Sequence, residues 1–222
     1  MQWNGPRLAP ISGGKPNSIV VLLHGVAANG RDLLFLAHAW RDLLPDTEFI
    51  APDAPFACNY APAGRQWFSL HDRTPEKLLA GLRDAAAILD AFFDELLASR
   101  GLKESRLALA GFSQGAATAL YTGLHRQKTI AGVAAFSGAL PWTAQLQREI
   151  ASRPPILLVH GEADTVVPFP SMAHTKATLE ALGVPVQAVA RPGLGHAIDD
   201  VGIALAAEFF RHVLRTGQNK AS

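Results

Sequence analysis

Residues 107–117 read Leu-Ala-Leu-Ala-Gly-Phe-Ser-Gln-Gly-Ala-Ala, an apolar run, a GxSxG turn and an alanine-rich segment with nothing between them. This stretch calls for a buried strand that reverses sharply into a helix, with Ser113 at the corner. Such a corner holds its central residue in a strained backbone conformation. Glycines at Gly111 and Gly115 remove the side chains that would collide with neighbouring backbone. Ser113 Oγ then projects above a sheet at the positive end of the following helix, where amides without helical partners face a developing negative charge. The plainer alternative is a serine capping an ordinary helix.

The rest of the chain supplies the sheet. Short apolar runs at Ile19–Leu23, Glu48–Ala51, Arg106–Ala110, Gly132–Phe136, Ile156–Val159 and Val186–Ala190 alternate with segments of helical period. That alternation predicts an α/β fold, a mostly parallel central sheet flanked by helices on both faces. Helices are expected over Asp32–Leu44, Glu76–Ser99 and Asp199–Leu214, each with an apolar stripe at three-and-four spacing. Thr74 and Pro75 mark the start of the long helix and Gly101 its end, while Asp199 and Asp200 read as caps of the last one. Glycine and proline are spread along the chain and not pooled in a linker, so residues 1–222 read as one domain, with 216–222 as a frayed tail. Little sequence remains for an inserted lid.

Each strand ends in a polar turn, and in open parallel sheets reactive groups gather at the carboxyl ends of the strands. A serine hydroxyl is a weak nucleophile unless a histidine backed by an acid removes its proton. The turn after Ile156–Val159 contains Asp164, with Glu162 as its nearest competitor, and the glycine-rich turn after Val186–Ala190 contains His196. The chain order is then Ser, Asp, His, the order of α/β-hydrolases. His24 and His160, each before a glycine at a strand end, read as structural residues that hold loops by hydrogen bonds. The turn His24-Gly25-Val26 occupies the place where this fold draws one oxyanion-hole amide, and the residue after the nucleophile gives the other. The backbone N–H groups of Val26 and Gln114 are the candidates.

Composition narrows the functional classes. Twenty basic against nineteen acidic side chains leave a formal charge of +1, which gives no global field to attract nucleic acid or an anionic membrane. One cysteine, Cys58, cannot form an intramolecular disulfide, and the histidines lack zinc-ligand spacing, so neither a disulfide scaffold nor a structural metal site is indicated. The amino-terminal residues do not resemble a secretory signal, and no apolar run approaches the roughly 20 residues of a membrane span. A cytoplasmic location is expected.

The motifs Leu23-His24-Gly25, Gly64-Arg65-Gln66-Trp67-Phe68, Gly111-Phe112-Ser113-Gln114-Gly115-Ala116, His160-Gly161-Glu162-Ala163-Asp164 with Val167-Pro168, and Gly195-His196-Ala197-Ile198-Asp199 run over almost the whole chain. In them the chain resembles the phospholipase/carboxylesterase family, which includes acyl-protein thioesterases, and it is most similar to the family's small bacterial carboxylesterases. The resemblance implies a cofactor-free serine hydrolase acting on a small carboxylic ester, with thioesters or lysophospholipids as alternatives. It implies Ser113, Asp164 and His196 as the triad, Val26 and Gln114 as oxyanion donors, and Trp67, Phe68 and Val166 as residues bordering the acyl site. A homodimer is also compatible with the likeness. Acyl-protein thioesterases usually carry Gly-Leu-Gly-Asp where this chain reads Gly25-Val26-Ala27-Ala28-Asn29, a departure that counts against protein depalmitoylation.

Substrate size rests on Pro55–Asp72, where Phe56, Tyr60, Trp67, Phe68 and Leu70 either wall the site or pack as core beneath a loop. Without an inserted lid, short or medium acyl chains are expected. From another class, a noncatalytic binding protein on a hydrolase scaffold remains the alternative.

Overall fold

A computed structural model describes residues 4–59 and 61–219, the last three by backbone alone. Tyr60 and the end of the expected tail, Lys220 to Ser222, lie outside the described residues. In chain order the elements are β1 (Arg7–Leu8), β2 (Ser18–Leu23), a 3-10 turn (Gly30–Leu33) running into α1 (Leu34–Trp40), β3 (Thr47–Ile50), β4 (Phe56–Cys58), β5 (Ala61–Gln66) and α2 (Pro75–Arg100). A second 3-10 turn (Glu104–Arg106) precedes β6 (Leu107–Phe112), α3 (Gln114–His125), β7 (Gly132–Phe136), α4 (Ala144–Glu149), β8 (Ile156–Gly161), α5 (Pro170–Ala181), β9 (Val186–Arg191) and α6 (Asp200–Asn219).

The main sheet has the order β1-β3-β2-β6-β7-β8-β9, and within it only the short edge strand β1 pairs antiparallel. Successive strand residues point to opposite faces, and both faces are covered. Ile19, Val21 and Leu23 of β2 join a core with α2 and α3, while Val20 and Leu22 join a second core with α1 and α6. This double burial is why the strands read as unbroken apolar runs. Among the described residues no helix is long and apolar enough to cross a membrane.

The expected strands are present with small shifts at their ends. The first expected helix is shorter than its apolar period: Asn29 caps the 3-10 turn in a capping box with Asp32, and α1 ends at Trp40 although Leu44 stays buried. The long helix starts at Pro75 and stops at Gly101 with φ 65°, the left-handed conformation that glycine tolerates. Thr74 occupies the N-cap position but its side chain makes no capping bond. Proline at the first helical position leaves one amide fewer to satisfy there. Asp199 Oδ1 accepts from Gly202 N–H and caps the last helix, whereas Asp200 lies within its first turn. That helix continues to Asn219, well past the expected end at Leu214. The hairpin of β4 and β5, together with β1 and α4, has no counterpart in the sequence reading.

The elbow between β6 and α3 is as tight as its glycines require. A Cβ on Gly111 would lie 2.3 Å from the Gly115 carbonyl oxygen, and one on Gly115 would lie 1.9 Å from that of Leu23. Gly115→Ala is therefore expected to cost on the order of 3 kcal/mol or more, since the obstacle is backbone and cannot rotate away. Gly14→Ala, where an added Cβ meets nothing within 4 Å, is the control expected to be close to neutral. Urea unfolding of both variants checks the contrast.

Candidate active site

Ser113 stands at the elbow with φ 55° and ψ −118°, outside the regions that a non-glycine residue normally occupies. Its own amide donates to the Phe136 carbonyl at the end of β7 (2.9 Å), which holds the strained corner against the sheet.

The turn after β8 brings Asp164 beneath the turn after β9. Backbone bonds from Glu162 N–H to the Arg191 carbonyl (3.0 Å) and from Ala163 N–H to that of Leu194 (2.9 Å) tie the two turns together. The Asp164 side chain is wholly buried. Its Oδ1 accepts from the amides of Val166 and Val167, both at 2.9 Å, and its Oδ2 accepts from His196 Nδ1–H at 2.8 Å. Burial opposes ionisation of this carboxyl, but the bonds from His196, Val167 and Val166 outweigh it and hold its pKa below the usual range. Glu162, the competing acid, is exposed and has no such contact among the described residues.

A carboxylate only accepts, so the proton of the neutral His196 ring sits on Nδ1. Nε2 is left as an acceptor for the Ser113 hydroxyl, 3.0 Å away. The Phe112 ring, tilted against the imidazole with centroids 4.8 Å apart, packs beside this contact.

His24 and His160 are structural in the manner expected. His24 is fully buried; its Nδ1–H donates to the Gly25 carbonyl (2.7 Å) and its Nε2 accepts from Ala54 N–H (2.9 Å). Burial outweighs the Gly25 bond and lowers its pKa, which favours the neutral ring. His160 Nε2–H donates to the Val167 carbonyl at 2.9 Å.

Val26 and Gln114 flank Ser113. Gln114 opens α3, so its amide has no intrahelical partner, and among the described residues neither amide donates to another backbone group. The turn that carries Val26 is pinned to β5: Ala27 N–H donates to the Arg65 carbonyl and Arg65 N–H to that of Ala28, both at 2.9 Å. The Gln114 side chain reaches the same segment. Trp67 N–H donates to its Oε1 (2.9 Å), and its Nε2 donates to the Phe68 carbonyl (2.8 Å). One short strand and its continuation thus brace both candidate amides, a role that the sequence reading did not assign to the Gln114 side chain.

Two cavities meet at Ser113, and Val26 and Val166 line both. The larger, about 490 Å³, has walls of Leu33, Phe35, Phe112 and Ile198 and includes His196. The smaller, about 280 Å³, is bounded by Phe68, Leu70, Leu78, Leu82 and Leu140 and includes Gln114. Phe68 and Val166 therefore border the site, whereas Trp67 is fully buried and its indole Nε1–H donates to the His24 carbonyl (2.8 Å). The segment Pro55–Asp72 fills both expected roles, with Trp67 in the core, Phe68 in the core and at a cavity wall, and Leu70 beside it at that wall. Among the described residues no group of three or more His, Cys, Asp or Glu side chains is placed to hold a metal ion.

The parallel sheet with helices on both faces places the chain in the α/β-hydrolase class. Residues 11–214 match the profile of the phospholipase/carboxylesterase family, and the chain belongs to that family. It is 42% identical to esterase PE8, whose crystal structure superposes with a TM-score of 0.90 over 96% of this chain and 100% of that one. A probable carboxylesterase of Oryza sativa subsp. japonica is 29% identical over 96% of this chain and 89% of its own length. Acyl-protein thioesterase 1 of Neurospora crassa is 29% identical over 86% of this chain and 84% of its own. The protein is a carboxylic ester hydrolase.

Proposed function

We propose that the protein hydrolyses small carboxylic esters of short to medium acyl chain in two steps, with Ser113 as nucleophile, His196 as base and Asp164 as its orienting acid. The observation that carries this reading is the relay of contacts from Asp164 Oδ2 through His196 to Ser113 Oγ, at 2.8 and 3.0 Å, opening into two cavities. His196 Nε2 takes the hydroxyl proton as Oγ attacks the ester carbonyl, and Asp164 stabilises the imidazolium that forms. The amides of Val26 and Gln114 receive the oxyanion. The imidazolium protonates the leaving alcohol, and water activated by the same ring releases the acid from the acyl-enzyme. Both cores lie against one sheet, which supports a single domain serving this one site.

The cavities supply a polarity for the substrate. The leaving oxygen must face the histidine that protonates it, so the alcohol belongs in the larger cavity, which His196 lines. The acyl chain then enters the smaller one, beside Gln114, where Leu78, Leu82 and Leu140 limit its length. A series of nitrophenyl esters is expected to show kcat/KM highest for short and medium acyl groups and falling for long ones. A maximum at long chains would overturn the assignment. The same series made as thioesters separates the esterase reading from that of a thioesterase.

A further inference from the structure

The two cavities that meet at Ser113 differ in charge as well as in size. Among the described residues, Asp32 is the one acidic side chain lining the larger cavity, and no Lys or Arg lines it. Arg73 is the one charged side chain lining the smaller, where no Asp or Glu is present. Asp32 Oδ2 accepts from Asn29 N–H at 2.9 Å in the capping box, which leaves Oδ1 without a protein donor among the described residues. Arg73 donates from Nε alone, to the Leu70 carbonyl at 3.4 Å. Phe35 follows Asp32 by three residues, the spacing that sets two side chains next to each other on a helical surface. Its ring is 45% exposed and forms part of the same cavity wall. His24, which also lines this cavity, is held toward its neutral form by burial. The imidazolium that forms on His196 during turnover is compensated by Asp164, so the net charge of the larger cavity is set by Asp32.

We propose that the enzyme selects esters whose alcohol carries a fixed positive charge, the ammonium group of the leaving alcohol lying against Asp32 and Phe35 in the larger cavity. This rests on the reading that His196 protonates a leaving alcohol held there. A quaternary ammonium has no hydrogen to donate and spreads its charge over an apolar shell, which suits a carboxylate with aromatic and aliphatic neighbours. Arg73 acts from the opposite side. It repels the same charge from the acyl cavity, so the two residues orient the ester in the direction that the leaving oxygen already requires. The ammonium is remote from the reacting carbonyl and meets Asp32 in the ground state and the transition state alike, so the selection falls on KM.

The experiment measures kcat and KM for butyrylcholine and for its neutral isostere, in which a tert-butyl group replaces the trimethylammonium. The purified full chain is compared with Asp32→Asn, Phe35→Leu and Asp42→Asn, and acid release is followed by titration. Asn at position 32 keeps an oxygen for the Asn29 amide and loses only the charge. The ratio of kcat/KM for the cationic ester to that for the neutral one is expected to fall by roughly threefold to fivefold in Asp32→Asn, the scale of an exposed ion pair. In Phe35→Leu it should fall by roughly twofold to fivefold, the scale of an exposed cation–π contact. Asp42→Asn removes the same charge from an exposed position that lines neither cavity, and should keep the wild-type ratio. The two esters differ in leaving-group reactivity, but that difference is common to every variant and cancels between them. Raising salt from about 0.01 M to about 1 M should shrink the wild-type ratio toward that of Asp32→Asn. If Asp32→Asn does not fold, Phe35→Leu and the salt dependence make the same decision. An ethyl ester with the trimethylammonium group at the end of its acyl chain reverses the placement. If Asp32→Asn depresses that ester in place of butyrylcholine, or leaves the ratio at its wild-type value, the proposal is overturned. Turnover that is lost in Ser113→Ala while the ratio ignores Asp32 would leave the relay standing and remove this inference alone, whereas turnover that survives in Ser113→Ala would strike the reading beneath it.

Discussion

Ser113→Ala is expected to lower kcat by on the order of 10⁴ to 10⁶ while leaving the fold in place. The reason lies in what Oγ does and does not hold. Its one side-chain contact among the described residues is with His196, so its removal takes the attacking atom without leaving a buried partner unsatisfied elsewhere. The backbone strain at φ 55° is borne by the amide bond to Phe136 and by the elbow, and alanine inherits it unchanged. Stability should therefore move by no more than about 1 kcal/mol, the net worth of one hydrogen bond. A fluorophosphonate reagent should add once to the wild-type chain, at Ser113, and not to the variant. Residual turnover near wild type in a folded variant would place the nucleophile elsewhere. Failure of the wild type to label would favour a noncatalytic scaffold.

The elbow was legible because its physics is local. An apolar strand, two glycines and an alanine-rich start of a helix leave few conformations, and the 1.9 Å clash that a Cβ on Gly115 would make with the Leu23 carbonyl is the steric requirement read from the motif. Asp164 and His196 were legible for a related reason, since strand ends in a parallel sheet converge at one edge. Between Asp164 and Glu162 the turn makes a difference that composition does not show: amides at Val166 and Val167 draw one carboxyl inward, and the other faces solvent. The hairpin escaped notice because Ala61–Gln66 contains proline and glycine and has little strand propensity of its own. It exists through partners far along the chain, the Val26 turn and the Gln114 side chain, and no periodicity in a short window records such contacts. Trp67 and Phe68 went unresolved between core and cavity because the segment serves both: each is buried in the core, and Phe68 also faces the smaller cavity.

Asp164→Asn is expected to cost about 10⁴ in kcat, because the loop dictates which way the new amide must face. Two backbone N–H groups converge on Oδ1 at 2.9 Å, and only an oxygen can accept them. The amide NH₂ is forced into the position of Oδ2, where it is a donor aimed at His196 Nδ1. Nδ1 can then pair only by giving up its proton, which moves to Nε2. The ring now presents N–H to Ser113 Oγ and has no lone pair with which to deprotonate it. The buried amide also loses the charge-assisted bond that Oδ2 accepted from His196, so a stability loss of about 1–3 kcal/mol should accompany the kinetic one. Glu162→Gln, on the exposed neighbour in the same turn, should leave both quantities within error of wild type. Fluorophosphonate labelling rates should fall in parallel with kcat in the Asp164 variant, since both reactions need the base on Nε2. A folded Asp164→Asn enzyme within tenfold of wild type would mean that the carboxylate does not set the tautomer of His196 and that the relay is misassigned.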